Sequence, residues 1–316
     1  MTAVNFYTSC TMTKSVATPE ILMAQKLRTH SVKGRFLQWR ARIDSWKGER
    51  LLAHQLYSGG NWSAVRKLAT AERTGGHELK CYVISAGYGL VKIDSSIAPY
   101  AATFGLGHED SVIKGRGNKG PVQNAEWWQE LCQWRPIGIS GPRSLREAFK
   151  RCPDGVHIFA LSPFYFDAIS EDLAVALTAL SKPERLVIIS AGKRRHGDLN
   201  RNVIQPSSRL QTTLGGALGS LNVRVATAIL NGIPVENLNH SSASTVVSSL
   251  LSGSKPRKIP QRIQLTDSAI IRNIVRSIKD LSNPSYTGLL RELRDSGHAC
   301  EMKRFKRLFQ TVTNPL

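Results

Sequence analysis

Four short apolar segments constrain the fold more than any other feature: VNFYTSC (4–10), KCYVIS (80–85), VHIFALS (156–162) and RLVIISAG (185–192). Each is rich in β-branched or aromatic residues and bounded by Gly, Pro or Ser. None alternates strictly between apolar and polar, so each reads as a strand buried on both faces. Between them, ERLLAHQLYSG (49–59), WSAVRKLATAERTGG (62–76), EWWQELCQW (126–134), SLREAFKRC (144–152) and DAISEDLAVALTAL (167–180) place apolar residues three or four apart, the period of a helix with one buried face. Strands alternating with helices predict an α/β domain with a mainly parallel sheet flanked by helices, over residues 1–251.

The pattern breaks at SGSKPRKIPQR (252–262), where Gly, Ser, two Pro and basic groups occur without an apolar period. Residues 252–264 read as a basic linker. Beyond it, TDSAIIRNIVRSIKDL, SYTGLLRELRDSG and CEMKRFKRLFQTV predict three short helices over 265–316, an all-helical module like a helix-turn-helix.

Charge narrows the function classes. The 316 residues carry 43 Lys plus Arg against 23 Asp plus Glu, a formal charge of +20, and residues 255–316 alone carry 13 against 5, net +8. A field of that sign suits a polyanion, and nucleic acid is the commonest such partner. Cys10, Cys81, Cys132, Cys152 and Cys300 are odd in number and show no metal-ligand spacing, which argues against a disulfide framework or zinc site. His54, His108 and His157 fit no metal spacing either, and TTLGGALGS (212–220) lacks the lysine of a Walker phosphate loop, so no metal or cofactor is expected. No run approaches ~18 apolar residues and the start does not read as a secretion signal. No membrane partner and a cytoplasmic location are expected.

In a parallel α/β sheet, ligands bind outside the carboxyl ends of the strands. Those ends lead into Ser9, Cys10 and Thr11 with Lys14 nearby; Ser85 to Tyr88; Ser162 to Tyr165; and Ser190 to Lys193. The stretch CYVISAGYGLVKIDSSIAPYAATFG (81–105) adds Gly87 and Gly89 for a sharp turn and Tyr88 and Tyr100 as flat faces. Asp94 is the one carboxylate between Lys80 and Gly107. Together they read as a stacking platform with one anionic group; SAGYGL equally reads as a structural turn, with Asp94 capping a turn or helix. Two basic loops frame this stretch: Lys114, Arg116 and Lys119 in IKGRGNKGP, and Lys193, Arg194 and Arg195 in GKRRHGDLNR, with Asn200 alongside. Lys303, Arg304, Lys306 and Arg307 share the last helix with Phe305, Leu308 and Phe309, the composition of a backbone-tracking helix.

The order strand, SAGYGL, Asp94, IAPYAATFG, with YTSC and Lys14 near the start and LYSGGNWSAVRKLA at 56–69, resembles the YaaA-like superfamily over about two thirds of the chain. The resemblance implies DNA binding and a fold distantly related to uracil-DNA glycosylases. With a basic C-terminal module, the chain also resembles phage-defence DNA glycosylases that act on glucosylated hydroxymethylcytosine in phage DNA, although the water-activating Gly-Gln-Asp-Pro-Tyr-His motif of uracil enzymes is absent. The expected partner is therefore double-stranded, modified DNA. The expected activity is monofunctional base excision after extrusion of the nucleotide. Asp94 would stabilise the oxocarbenium ion or position water. Ser85, Gly87, Tyr88, Tyr100, Ser162 and Asn200 would form the base pocket, and the cations named above would hold the backbone. Lys14 or Lys193 as a Schiff-base nucleophile, a non-catalytic DNA-binding protein, and an enzyme of free modified nucleosides are the alternatives.

Overall fold

A computed structural model describes residues 2–71, 78–114, 119–192, 196–255, 261–279 and 284–313. The chain divides into two compact units, Met1–Pro256 and Arg257–Leu316.

The first unit is α/β around a six-stranded sheet: β1 (Val4–Ser9), β2 (Leu79–Ser85), β3 (Gly89–Lys92), β4 (Val156–Ala160), β5 (Leu186–Ile189) and β6 (Val203–Ile204), in the order β3-β2-β1-β4-β5-β6. All neighbours are parallel except β2 and β3, which form an antiparallel hairpin. The four apolar segments supply β1, β2, β4 and β5. The two added strands are edges: β3 follows the SAGYGL turn, and two-residue β6 is too short to show a period.

Its longer helices are α1 (Val32–Asp44), α2 (Gly60–Thr70), α3 (Lys119–Gln133), α4 (Leu145–Lys150), α5 (Pro163–Leu177), α6 (Leu221–Gly232) and α7 (His240–Ser252). Segment 49–59 departs from the helical expectation. Leu51–Leu52 pairs with Ser96–Ile97, and only Ala53–Leu56 makes a helical turn. Its backbone is claimed from outside, since Ala53 N and His54 N donate to the carbonyls of Ser95 and Ile93, both at 2.9 Å.

In the core, Tyr7 stacks on Tyr82 and Phe159 with centroids 5.1 and 4.2 Å apart, beside Phe149 of α4. Helix α6 packs against β4 and β5. Two buried arginines pin the loops around β2 and β3. Arg35 donates to the carbonyls of Ala24, Leu27, Ser111 and Val112, and Arg143 to those of Tyr88, Leu90, Leu131 and Trp134. Buried carbonyls left unpaired are costly, so these two side chains supply donors to loop backbone and, through Leu90 and Leu131, to strand β3 and the last turn of α3.

The second unit holds α8 (Asp267–Lys279), α9 (Tyr286–Asp295) and α10 (Met302–Thr313). Its own core consists of Ile270, Ile274, Leu289, Leu290, Leu293, Cys300, Phe305 and Leu308. It is not all-helical: Ile263–Gln264, assigned to the linker from composition, pairs in parallel with His298–Ala299. Among the described residues, no helix is long and apolar enough to cross a membrane.

Candidate functional site

Strand order places the site. From β1 the sheet grows toward β2 and β3 on one side and toward β4, β5 and β6 on the other, so the connections diverge between β1 and β4. A parallel sheet opens a crevice at the carboxyl ends of two such strands. That crevice is present, with a volume of about 180 Å³, and is lined by Ser9, Cys10 and Thr11 after β1, Ala160 and Ser162 after β4, and Asn61, Gly219 and Asn222.

Three helices begin at this crevice. Asn61 is the second residue of α2, Ser162 is the N-cap of α5, and Asn222 is the second residue of α6. Unpaired amide groups and the helix dipole make such ends favourable to anions. Gly59, just before α2, has φ +89°, a conformation that favours glycine and turns the chain into the crevice wall. Ser162 N donates to Ser9 Oγ at 3.3 Å and Asn222 Nδ2 to the Leu161 carbonyl at 2.7 Å, which ties the two strand ends together. Among the described residues no carboxylate lines the crevice.

Behind it lies a buried hydroxyl network. Cys10, a lining residue, sits 3.1 Å from Tyr165 Oη, which reaches Thr103 Oγ1 at 3.5 Å. Tyr100 Oη is 2.6 Å from Ser85 Oγ and 2.8 Å from Tyr57 Oη. Burial pushes all three tyrosine phenols far above their ordinary range, so they are neutral hydrogen-bonding groups at physiological pH. Lys14 Nζ lies 5.0 and 4.7 Å from the ring centroids of Tyr57 and Tyr100 and donates to the carbonyl of Thr11, another lining residue. Burial lowers its pKa to about 8, against the opposing pull of Cys10 and Asp110. Roughly a tenth of this amine is therefore neutral at pH 7, where an exposed lysine has almost none.

The sequence-based site is redistributed. Ser162 lines the crevice, while Ser85 and Tyr100 belong to the network behind it. Asp94 joins neither. Lys92 pairs with Tyr82 and Ile93 N donates to the Cys81 carbonyl, which sets Asp94 beside Lys80. That position is five residues from Ser85 along β2, about 16 Å at the rise of a strand. Asp94 is exposed and borders a separate groove of about 300 Å³ with His54, Lys80 and Lys92, toward the amino end of β2. Because β3 runs antiparallel, the chain carries Asp94 away from the end where SAGYGL turns.

Tyr88 is no stacking platform. It is fully buried, stacks on Trp134 at 5.9 Å and accepts from Ala98 N at 3.0 Å. Gly87 does permit a close approach, but the approaching group is the Tyr100 ring, 2.5 Å from where a Cβ would stand. Asn200 closes its own turn, accepting from His196 N and donating to the Gly197 carbonyl.

Among the expected DNA contacts, Lys114 and Lys119 are exposed, Lys119 as the first residue of α3. Arg116, Lys193, Arg194, Arg195 and the Lys303 side chain lie outside the described residues. On α10, Arg304 donates through Nε to Asp267 Oδ1 at 2.7 Å and through Nη2 to the Leu265 carbonyl at 2.9 Å. Arg307 reaches Asp267 Oδ2 at 3.5 Å, and Lys306 Nζ lies 5.6 Å from the Tyr286 ring centroid. These cations also hold α10 to its own unit.

Sequence reasoning missed Asn61, Gly219 and Asn222. The one signal that could have found Asn61 is Gly59-Gly60 directly ahead of a helical pattern; nothing local marks Asn222. His157 is a satisfied core histidine, with Nδ1 3.0 Å from Tyr7 Oη and Nε2 3.0 Å from the Cys152 carbonyl. Among the described residues no cluster of His, Cys, Asp or Glu could hold a metal ion. Comparison with protein-family models, with curated proteins and with solved structures returned no match.

Proposed function

We propose that this chain is a DNA glycosylase that extrudes a modified nucleotide and seats it in the crevice between β1 and β4. The carrying observation is the crevice itself: a switch-point site ringed by small polar side chains and three helix amino ends, in a chain of charge +20. The helix ends suit the phosphate flanking an extruded nucleotide, and Ser9, Asn61, Ser162 and Asn222 suit the polar edge of a base. About 180 Å³ is below the usual range of small-molecule sites and suits one planar ring rather than a ring carrying a sugar. A glucosyl substituent would have to project from the mouth.

The chemistry then falls to Lys14 rather than Asp94. Lys14 is not among the described lining residues, so in this proposal Nζ first leaves the Thr11 carbonyl and swings into the crevice. It then attacks C1′ of the deoxyribose, the C1′–N bond to the base breaks, and the base leaves with the electron pair and takes a proton. Nζ gives up its own proton, and ring opening leaves an iminium that water hydrolyses or that eliminates the 3′ phosphate. The partly neutral amine, hydrogen-bonded to lining residue Thr11, supports this role. The protein is thereby proposed as an anti-phage glycosylase with lyase capacity.

The test incubates the full chain with duplexes containing unmodified, hydroxymethylated or glucosylated cytosine, then measures free base and alkali-labile breaks. Borohydride added during turnover should trap a covalent adduct that peptide mapping places on Lys14. Tight DNA binding without base release from any duplex refutes the glycosylase reading; base release with no trappable adduct refutes Lys14 as nucleophile. The helix amino ends also suit a free nucleotide, and release confined to free substrates would favour that second reading.

A further inference from the structure

The second unit contains a cavity of about 390 Å³ whose lining includes Arg262, Gln264, Arg294, Cys300, Glu301 and Arg304. Among the described residues, three arginines and one carboxylate residue line it, and the Arg304 guanidinium is also paired with Asp267. Each arginine is held along one edge. Arg262 Nε donates to the Arg294 carbonyl at 2.8 Å, Arg294 Nη2 to the Cys300 carbonyl at 2.9 Å, and Arg304 is fixed by Asp267 and the Leu265 carbonyl. Both terminal nitrogens of Arg262, Nε and Nη1 of Arg294, and Nη1 of Arg304 make no hydrogen bond among the described residues.

Glu301 is also engaged: its Oε2 accepts from Arg304 N at 2.8 Å and caps the first turn of α10. That turn adds the amino end of a 12-residue helix to the cavity. Guanidinium forks held by backbone carbonyls lose little further freedom on binding, and several forks converging on one space match an oxyanion with three or more acceptor oxygens.

We infer that the Arg262–Arg294–Arg304 cavity is a phosphate-binding site that anchors one phosphate group of a nucleic acid. The nucleic-acid source rests on the DNA reading above; the phosphate chemistry does not. The occupant is either an internal phosphodiester or a terminal phosphate, and the volume leaves room for the attached sugar. The site shares Arg304 with the cationic face first expected on α10 and adds Arg262 and Arg294 from outside that helix.

The experiment uses the full chain and three variants: Arg262→Ala, Arg262→Gln, and Arg272→Ala as an exposed control with the same charge change outside the cavity. Inorganic phosphate binding is measured by titration calorimetry. Binding of a duplex bearing a 5′-phosphate or a 5′-hydroxyl is measured by fluorescence anisotropy across a salt series. Arg262→Ala should weaken phosphate and DNA binding about tenfold and lower the salt slope by about one, whereas Arg272→Ala should leave phosphate binding unchanged. Arg262→Gln should track Arg262→Ala, which keeps the test valid if the alanine variant folds poorly. A preference for the phosphorylated end assigns a terminal phosphate; equal affinity assigns an internal one. Phosphate binding that Arg262 and Arg272 variants affect equally, or that is absent in the wild type, overturns the site. Phosphate binding lost with Arg262 in a protein that does not bind DNA keeps the site and refutes the DNA reading instead.

Discussion

Replacing Lys14 by methionine tests the buried amine without reference to any substrate. In the folded chain, burial lowers the Lys14 pKa from 10.5 to about 8. Between those two values the unfolded chain binds more protons than the folded one, so this group makes stability rise as pH rises through that window. Below pH 8 the folded protein carries the full cost of burying the charge, about 3 kcal/mol at 1.36 kcal/mol per pH unit. At pH 10 the folded amine is almost wholly neutral while roughly three quarters of the unfolded chains still hold the proton, and the cost has fallen to under about 1 kcal/mol.

Methionine keeps the length of the side chain and removes the charge, along with the bond to the Thr11 carbonyl and the contacts with Tyr57 and Tyr100. Loss of the hydrogen bond and of packing offsets about 1–2 kcal/mol at every pH; the cation–π contribution holds only for the charged amine and is already contained in its folded pKa. Lys14→Met should therefore be more stable than wild type by about 1–2 kcal/mol at pH 7 and no more stable at pH 10. Urea denaturation of both proteins at the two pH values measures this, and the buried tyrosines cancel because both proteins contain them. The pH-dependent part, about 2.5 kcal/mol, isolates the amine. An advantage that stays constant or grows between pH 7 and 10 would falsify the assignment of a buried, proton-poor Lys14.

Asp94→Asn should leave base release within about twofold of wild type, because the carboxylate lies some five strand residues from the network; a loss approaching that of a catalytic-group deletion in the same assay would return Asp94 to the site. His157 is lowered from 6.5 to about 4 by burial, so its folded form stays neutral while the unfolded form takes up a proton. Stability should fall by about 3 kcal/mol from pH 6.5 to pH 4 on its account, and His157→Gln should flatten that acid limb in a pH series of denaturation midpoints. Gly87→Ala sets a Cβ against the Tyr100 ring and should cost about 1–3 kcal/mol; an unchanged urea midpoint would show that the ring yields freely. Arg143→Met removes a buried donor from four carbonyls, of which Leu131 keeps Trp134 N, and should cost about 3 kcal/mol or more, read from the melting temperature; a loss under about 1 kcal/mol would mean that water replaces the guanidinium.

How the sequence relates to this site is clearest at particular residues. Tyr88 and Tyr100 follow the same glycine turn and look alike in sequence. Yet one packs on Trp134 while the other meets Tyr57, Ser85 and Lys14. What separates them is the antiparallel turn into β3, whose direction no local period encodes. Asp94 was misplaced for the same reason: a lone acid between two aromatic groups suggests proximity, but the hairpin runs it back along β2. Asn61, Ser162 and Asn222 show the converse, being distant in sequence and joined only by the packing of α2, α5 and α6 around two strand ends.

By itself the sequence determined the α/β class and the four interior strands, because burial on both faces demands continuous apolar, β-branched runs wherever a strand occurs. It also determined the cationic balance, which is a property of composition and survives any arrangement of the chain. Strand order belonged to the tertiary structure alone. It decided that β1 and β4 lie side by side, that a crevice opens between them, and that Lys14 rather than Asp94 stands behind it. Neighbouring strands are selected by long-range packing and backbone hydrogen bonds between segments up to 150 residues apart, as Tyr7 and His157 are, and a separation of that size leaves no trace in the local pattern of either strand.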